Sequence, residues 1–369
     1  MANLSMSEKR DQRMQWMIVL EDCARVGDPK RFHYSEYEFC SEVRIPGVLD
    51  YESGAIRCCI LEEADKDGLF TYMVRVRHVF QKYTFDQRKY LKGGYYFEEG
   101  LIGELLAIFS VFFRARFFLR ATYVSQDDFR SRTREDFRYR KPNKALHIEM
   151  LSSEGMARNW AKGIADFLDN LRNVPQEYHQ DLIRAFGWYA EAVREIGSDR
   201  SLFYIKMVSA IESLLEEAEP DGLEKKLKNL IGKGCPLEED KEEITNYINN
   251  RKIKRKFIAF LSKYSRGYFK GFNRKATHCY IRKNEMDRYA GTIYDARSGY
   301  LHKGKPMFIS FDMPMEEAYR WDVDPGCGMM VDRRNIPGKE KLPRMMWFER
   351  IVNYCLRKYL EERRREVGT

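Results

Sequence analysis

The sequence lacks the residue patterns of common nucleotide- and metal-dependent enzymes. Its glycines form neither G-x-x-x-x-G-K-[ST] nor G-x-G-x-x-G, so a nucleotide-hydrolysing site is not expected. The eight cysteines include no C-x-x-C pair and no grouping with histidines at a spacing typical of metal ligands. We therefore expect no cofactor and no metal ion at the functional site.

An apolar segment of membrane-spanning length is also lacking. The first residues, MANLSMSEKRDQ, contain no signal-peptide core, and the most apolar run, LLAIFSVFF, has nine residues between Glu104 and Arg114. A membrane-spanning helix needs roughly 20 apolar residues. We expect no membrane partner, a buried helix over residues 100–119, and a cytoplasmic protein with reduced cysteines.

The length of 369 residues, 44% of them hydrophobic, predicts two domains, with a boundary near residues 140–155. Residues 1–150 indicate a mixed or β-rich domain. Apolar residues alternate with Arg75 and Arg77 over residues 70–80, as in a half-buried strand. Further strands are predicted within residues 37–46 and 57–61. The predicted fold class is α+β, because an all-α part follows over residues 151–369.

The second part of the chain has the period of amphipathic helices. These helices are predicted at residues 156–173, 177–196, 200–217, 222–232, 238–265, 284–302 and 345–365. A long loop rich in proline, glycine and aspartate separates the last two, over residues 306–343. Because it directly follows the candidate site below, we expect it to cover or trim a cleft.

Acidic residues are absent from residues 251–283, a stretch of thirty-three residues that carries twelve Lys and Arg. The chain as a whole has a net charge of +9. The run predicts a track for RNA phosphates, with a solvated or acid-paired face as the alternative. The candidate RNA-binding residues are Lys252, Lys254, Arg255, Lys256, Lys263, Arg266 and Lys270. Phe257, Phe260 and Tyr264 are spaced like a buried helical stripe, which favours core packing over base stacking.

Arg297 and His302 are the candidate catalytic residues. Arg297 falls on the apolar face of the helix predicted at residues 284–302, where a guanidinium needs a partner. His302 precedes Lys303-Gly304-Lys305-Pro306, a helix C-terminus at which the helix dipole favours a cation. Five residues of ideal helix turn about 500° and rise about 7.5 Å, so convergence needs the long arginine stem or a loosened turn at Gly299. The alternative is a buried arginine salt bridge beside a surface histidine.

Two segments carry a resemblance to a known family. Residues 294–304, YDARSGYLHKG, resemble the signature helix of HEPN domains and are closest to the Apea-like branch. Residues 201–217, SLFYIKMVSAIESLLEE, resemble the earlier core helix of that family, with Glu212 at a position that often carries an acid. The resemblance covers about residues 155–369.

The resemblance implies a helical bundle that pairs as a homodimer and cuts RNA without a metal. The ribose 2′-OH would attack the adjacent phosphate and leave a 2′,3′-cyclic phosphate, with His302 as general acid or base. Arg297 would neutralise the phosphate in the transition state. Glu212 would orient Arg297, and Tyr294 and Ser298 are further supporting residues. Ser298 departs from the Asn, Asp or His that active members often have after the arginine.

Three functions remain open at this point. The first is an endoribonuclease of a defence or stress response, whose N-terminal domain binds an unknown activator or ligand. The second is a non-catalytic RNA-binding or scaffold protein with the same helical bundle. The third is a dimerisation protein that binds no nucleic acid. Gly304 replaces the tyrosine that accepts a nucleotide in another branch of the family, which disfavours that chemistry.

Overall fold

The computed structural model divides the chain into two compact units, Met1–Phe203 with Tyr359–Thr369, and Tyr204–Lys358. The predicted domain boundary at residues 140–155 lies outside the described residues. The structure describes residues 32–45, 48–51, 56–62, 68–79, 101–124, 132–133, 160–196, 198–216, 222–232, 238–270, 283–304, 307, 330–331, 334–335, 342 and 345–365.

The N-terminal part contains a six-stranded antiparallel sheet, which confirms the predicted strands and the coarse α+β class. Its strands run in the order β2-β3-β4-β1-β5-β6. Their bounds are β1 (Phe32–Ser41), β2 (Val48–Tyr51), β3 (Ile56–Glu62), β4 (Phe70–Val79), β5 (Phe117–Val124) and β6 (Arg132–Thr133). The α+β class therefore follows from a sheet in the first part and helices in the rest.

Alternating side chains of β4 set the inner face of this sheet. Tyr72, Val74 and Val76 are buried while Arg75 is exposed, as the two-residue period of a strand requires. On the neighbouring strand β1, the Phe39 ring stacks on Tyr72 with a centroid distance of 5.1 Å. Phe39 also contacts Phe109 of helix α1 (Leu101–Phe113), 6.0 Å between centroids, so α1 covers this face.

The helix predicted over residues 100–119 is correct only as far as Phe113. Arg114 has a φ of 53°, in the left-handed region that commonly ends a helix. The apolar residues after it belong to β5, where Phe117 is paired with Ser41 of β1. The Ser41 hydroxyl donates a 2.7 Å hydrogen bond to the Arg116 carbonyl, and the buried Arg116 guanidinium pairs with Glu42. An apolar run alone does not show where a buried helix gives way to a buried strand.

Seven further helices confirm the helices predicted after residue 155, with ends shifted by a few residues. They are α2 (Trp160–Arg172), α3 (Gln176–Arg194), α4 (Arg200–Glu212), α5 (Gly222–Gly232), α6 (Glu238–Tyr264), α7 (Met286–Lys303) and α8 (Met345–Arg365). Most of the predicted loop at residues 306–343 lies outside the described residues. Within it, β7 (Met330–Val331) and β8 (Arg334–Asn335) pair antiparallel.

Helices α6 and α7 of the second unit pack against each other in antiparallel directions. Lys254 contacts Asp295 near the middle of α6, and Ser262 hydrogen-bonds Asp287 closer to its end. Gly291 faces this contact, where a Cβ would lie 3.5 Å from Cε of Lys254, an ordinary van der Waals distance. The second half of α7, which carries the candidate catalytic residues, therefore lies along the first half of α6.

Candidate functional site

Arg297 of α7 is held by Glu212 at the end of α4. One Nη of the guanidinium lies 2.7 Å from an Oε of Glu212, and the two side chains are only 18% and 19% exposed. Arg297 follows the buried Ile293 by one helical turn, which explains why its stem enters the packed side of the helix. The partner expected for Arg297 from the sequence is thus the one present in the structure.

Tyr294 completes this cluster. Its hydroxyl is hydrogen-bonded to the Glu212 carboxylate, and the Arg297 guanidinium lies 5.8 Å from the centroid of its ring. The Tyr294 ring also packs on Phe257 of α6, with 5.6 Å between the ring centroids. Burial, together with the negative charge of Glu212, raises the pKa of Tyr294 to about 12. The phenol therefore stays neutral, and its O–H donates a hydrogen bond to the carboxylate.

Glu212 is thus bound by two donors in a partly dry environment. Burial raises the pKa of its carboxyl above the usual 4.5, while the Arg297 charge and the Tyr294 hydrogen bond act in the opposite direction. Arg297 Nε is buried and has no hydrogen-bond partner among the described residues. The cluster fixes one edge of the guanidinium and leaves donor capacity for another acceptor.

His302 lies in the last turn of α7 and is exposed to solvent. The helix remains regular past Gly299, so the loosened turn considered from the sequence is absent. It ends at Gly304, which has a φ of 61° and whose N–H bonds to the carbonyls of Gly299 and Tyr300. Five residues of helix turn about 500°. Arg297 and His302 therefore lie on different faces of α7. One chain alone does not bring the two side chains together.

The seven predicted RNA-binding residues lie along α6 and the turn after it, but they are not equally available. Lys254 Nζ contacts both carboxylate oxygens of Asp295, at 2.7 and 2.6 Å. Lys263 lies over the Tyr264 ring at 4.7 Å. Three others each have an interaction within the structure, namely Lys252, Arg255 and Lys256. Arg266 is exposed, and Lys270 ends a short 3-10 helix, Tyr268–Lys270.

The aromatic residues within the basic run are mainly core residues. Phe257, Phe260 and Tyr264 are buried, which confirms the interpretation of their spacing as a packed stripe. Two further aromatic residues near the end of the run, Phe272 and Tyr280, lie outside the described residues. Base stacking by the aromatics of this run therefore has no support in the described part of α6.

No protein-family model matches the chain, and no curated protein and no solved structure matches it either. Within the described ranges, three or more His, Cys, Asp or Glu side chains never gather as a metal site would require. Nor does any described helix have the length and apolar character to cross a bilayer. The residues of α4, α6 and α7 are therefore the basis for the function proposed below.

Proposed function

We propose that the chain is a metal-independent endoribonuclease of the HEPN type that acts as a homodimer. The observation that carries the proposal is the half-buried Arg297, fixed by Glu212 and Tyr294, with an exposed histidine in the last turn of the same helix. A fixed, permanently charged guanidinium suits a phosphate in its transition state. An accessible imidazole suits proton transfer.

In the proposed reaction the ribose 2′-oxygen forms a bond to the neighbouring phosphorus, and the bond from phosphorus to the 5′-oxygen breaks. A neutral His302 imidazole accepts the proton of the 2′-OH, or a protonated one donates a proton to the leaving 5′-oxygen. Arg297 stabilises the negative charge on the non-bridging oxygens. The products are a 2′,3′-cyclic phosphate and a 5′-OH, and no external oxidant, reductant or metal is needed.

The homodimer is part of the proposal because Arg297 and His302 diverge within one chain. Arg297 is directed toward α4, whereas His302 is exposed at the end of α7. Two copies with facing α7 helices would place the arginine of one near the histidine of the other. Glu212 would then serve as a positioning residue for the arginine.

Binding of RNA is supported by charge. The run of twelve basic residues without an acid includes Lys252, Arg255, Lys256 and the exposed Arg266 on or after α6. When such residues contact phosphates, the release of counterions from the RNA makes the free energy of binding more favourable. We further propose a role in a defence or stress response, with the sheet-containing N-terminal part as the place where an activator binds.

The alternative is a non-catalytic RNA-binding or scaffold protein with the same helices. One observation favours it: the Arg297 guanidinium already has a carboxylate partner, as a purely structural buried arginine would. In that case the basic side of α6 binds RNA and the chain has no cleavage activity.

The test is cleavage of a labelled RNA of mixed structure by the purified protein in EDTA. His302→Ala is expected to lower the rate at least about 100-fold while RNA affinity and helix content stay unchanged, and Arg297→Ala is expected to lower the rate about 100-fold or more. Arg288→Ala is the control, an exposed arginine on the same helix. Cleavage that survives in His302→Ala contradicts the proposal, and salt-sensitive binding without any cleavage supports the alternative.

A further inference from the structure

Tyr247 of α6 is an unusually exposed aromatic residue. Its relative exposure is 53%, and Leu301 of α7, next to His302, is 48% exposed. Large side chains in the described helices of this unit are otherwise mostly buried or half-buried. A tyrosine ring has an apolar face and a polar hydroxyl, so an exposed one can contact a ligand from solvent.

The antiparallel register of α6 and α7 brings Tyr247 to the level of His302 along the two helices. Lys254 and Asp295 form an ion pair across the two helices. Tyr247 precedes Lys254 by seven residues, and His302 follows Asp295 by seven. Seven residues are about two helical turns, so each lies on the same face of its helix as the ion pair. Tyr247 and His302 therefore lie at the same level along the helix pair, two turns beyond the ion pair.

The charges around Tyr247 indicate the direction in which an RNA backbone would run across the site. Arg251 lies one turn further along α6 and is exposed, and Lys303 is exposed beside His302. On the other side of Tyr247, Glu242 is exposed near the start of α6. A polyanion at Tyr247 is attracted toward Arg251 and Lys303 and repelled from Glu242. Its backbone would therefore follow α6 toward the basic run.

We propose that Tyr247 stacks on an unpaired base close to the phosphate that His302 acts on, and so holds the substrate at the site. This inference rests on the proposed function. Every base has a π-face, so a single tyrosine gives affinity without selecting one sequence. In a duplex the bases are stacked on each other and are not available to the ring. Tyr247 is thus a substrate-binding residue that adds affinity for unpaired bases without selecting a sequence.

The experiment measures binding of a short, unstructured, fluorescently labelled RNA with 2′-O-methyl groups, which block cleavage. Tyr247→Ala is expected to weaken binding about 5- to 100-fold, the range for loss of one stacked base, whereas Tyr247→Phe keeps the affinity within about twofold. The dependence of affinity on salt is expected to stay unchanged in Tyr247→Ala, because no cation is lost. A hairpin RNA with few unpaired bases is expected to show a smaller loss.

Trp188→Ala is the matched control, since Trp188 is an aromatic residue with 37% exposure on α3. Its affinity for the probe is expected to equal that of the wild type. Full affinity of Tyr247→Ala overturns the stacking role, and His302-dependent cleavage then leaves the proposed function standing. A wild type that neither binds nor cuts RNA overturns both. A Tyr247→Ala protein that fails to dimerise, but binds RNA normally, identifies the tyrosine as a contact between copies and overturns the stacking role.

Discussion

At the scale of single residues, the Glu212 carboxylate is half-buried and accepts hydrogen bonds from two donors. Arg297 and Tyr294 both contact it, yet burial dominates and raises its pKa. The neutral form of Glu212 is therefore more favourable in the folded chain than in the unfolded one. The acid is suited to holding Arg297 in place, because its two partners fix its position, and not to carrying charge at low energetic cost.

This shift has a definite effect on stability as a function of pH. The unfolded carboxyl ionises near 4.5 and the folded one at higher pH, so the unfolded state is favoured progressively as pH rises through that interval. Wild-type protein is expected to lose free energy of unfolding relative to Glu212→Gln as pH rises above 4.5, since glutamine keeps an acceptor for Arg297 without ionising. Urea unfolding at several pH values measures the difference.

Glu177→Gln serves as the control, because Glu177 is exposed on α3. Its profile is expected to run parallel to that of the wild type. A wild type that instead gains stability over Glu212→Gln as pH rises would show that the attraction of Arg297 outweighs the burial of the carboxylate.

At the scale of elements, the C-terminal end of α7 determines the position of His302. Gly304 has a φ of 61° and closes the helix with two hydrogen bonds from its N–H. Gly304→Ala is expected to lower the free energy of unfolding by about 1 kcal/mol, because an L-residue with a Cβ is strained in the left-handed region. Gly304→Asn is expected to cost less. Thermal unfolding followed by circular dichroism measures both.

Gly222→Ala is the matched control, since a Cβ at Gly222 meets nothing within 4 Å. No loss of stability is expected there. Equal effects at the two glycines would contradict the account of the α7 terminus.

The helices could be predicted from the sequence because each of them carries its own local signal. The apolar period of α7 and the Lys303-Gly304 end are examples, and the structure has the helix at Met286–Lys303. The change from α1 to β5 could not be predicted, because Phe113 and Phe117 are both apolar and both buried. Only the pairing of Phe117 with Ser41, a residue distant in sequence, makes the second a strand residue.

The candidate site shows the same division between local and distant information. The Glu212 partner of Arg297 was expected from the resemblance of two segments to a known family, and the pair is present. Tyr247 was missed, because its position at the level of His302 depends on the register between α6 and α7. The acid partner of Lys254 was also missed, since Asp295 lies beyond the run of basic residues. The alternative interpretation of the basic run, as a face whose cations pair with acids, is the one that includes this ion pair.

At the scale of the whole molecule, the account requires two copies of the chain in one catalytic unit. Sedimentation is expected to give twice the chain mass of 44.0 kDa. Arg297→Ala and His302→Ala are each expected to be inactive alone. Mixed dimers of the two variants are expected to regain part of the activity, because one chain supplies the intact arginine and the other the intact histidine.

Mixed dimers without activity, formed in the expected amount, would contradict a site shared between copies. The control is a mixture of Arg297→Ala with wild type, which retains activity whether the site is shared or not. This result would distinguish an arrangement in which each chain cuts alone from one in which the two α7 helices face each other.

The central claim is that RNA is cut through its own 2′-OH, and the most direct test identifies the ends of the products. Wild-type protein is incubated with labelled RNA in EDTA, and the fragments are treated with enzymes that distinguish cyclic phosphates from free hydroxyls. The account predicts a 2′,3′-cyclic phosphate on one fragment and a 5′-OH on the other. Fragments with a 3′-OH and a 5′-phosphate would contradict it, because water and not the ribose would then have attacked the phosphate.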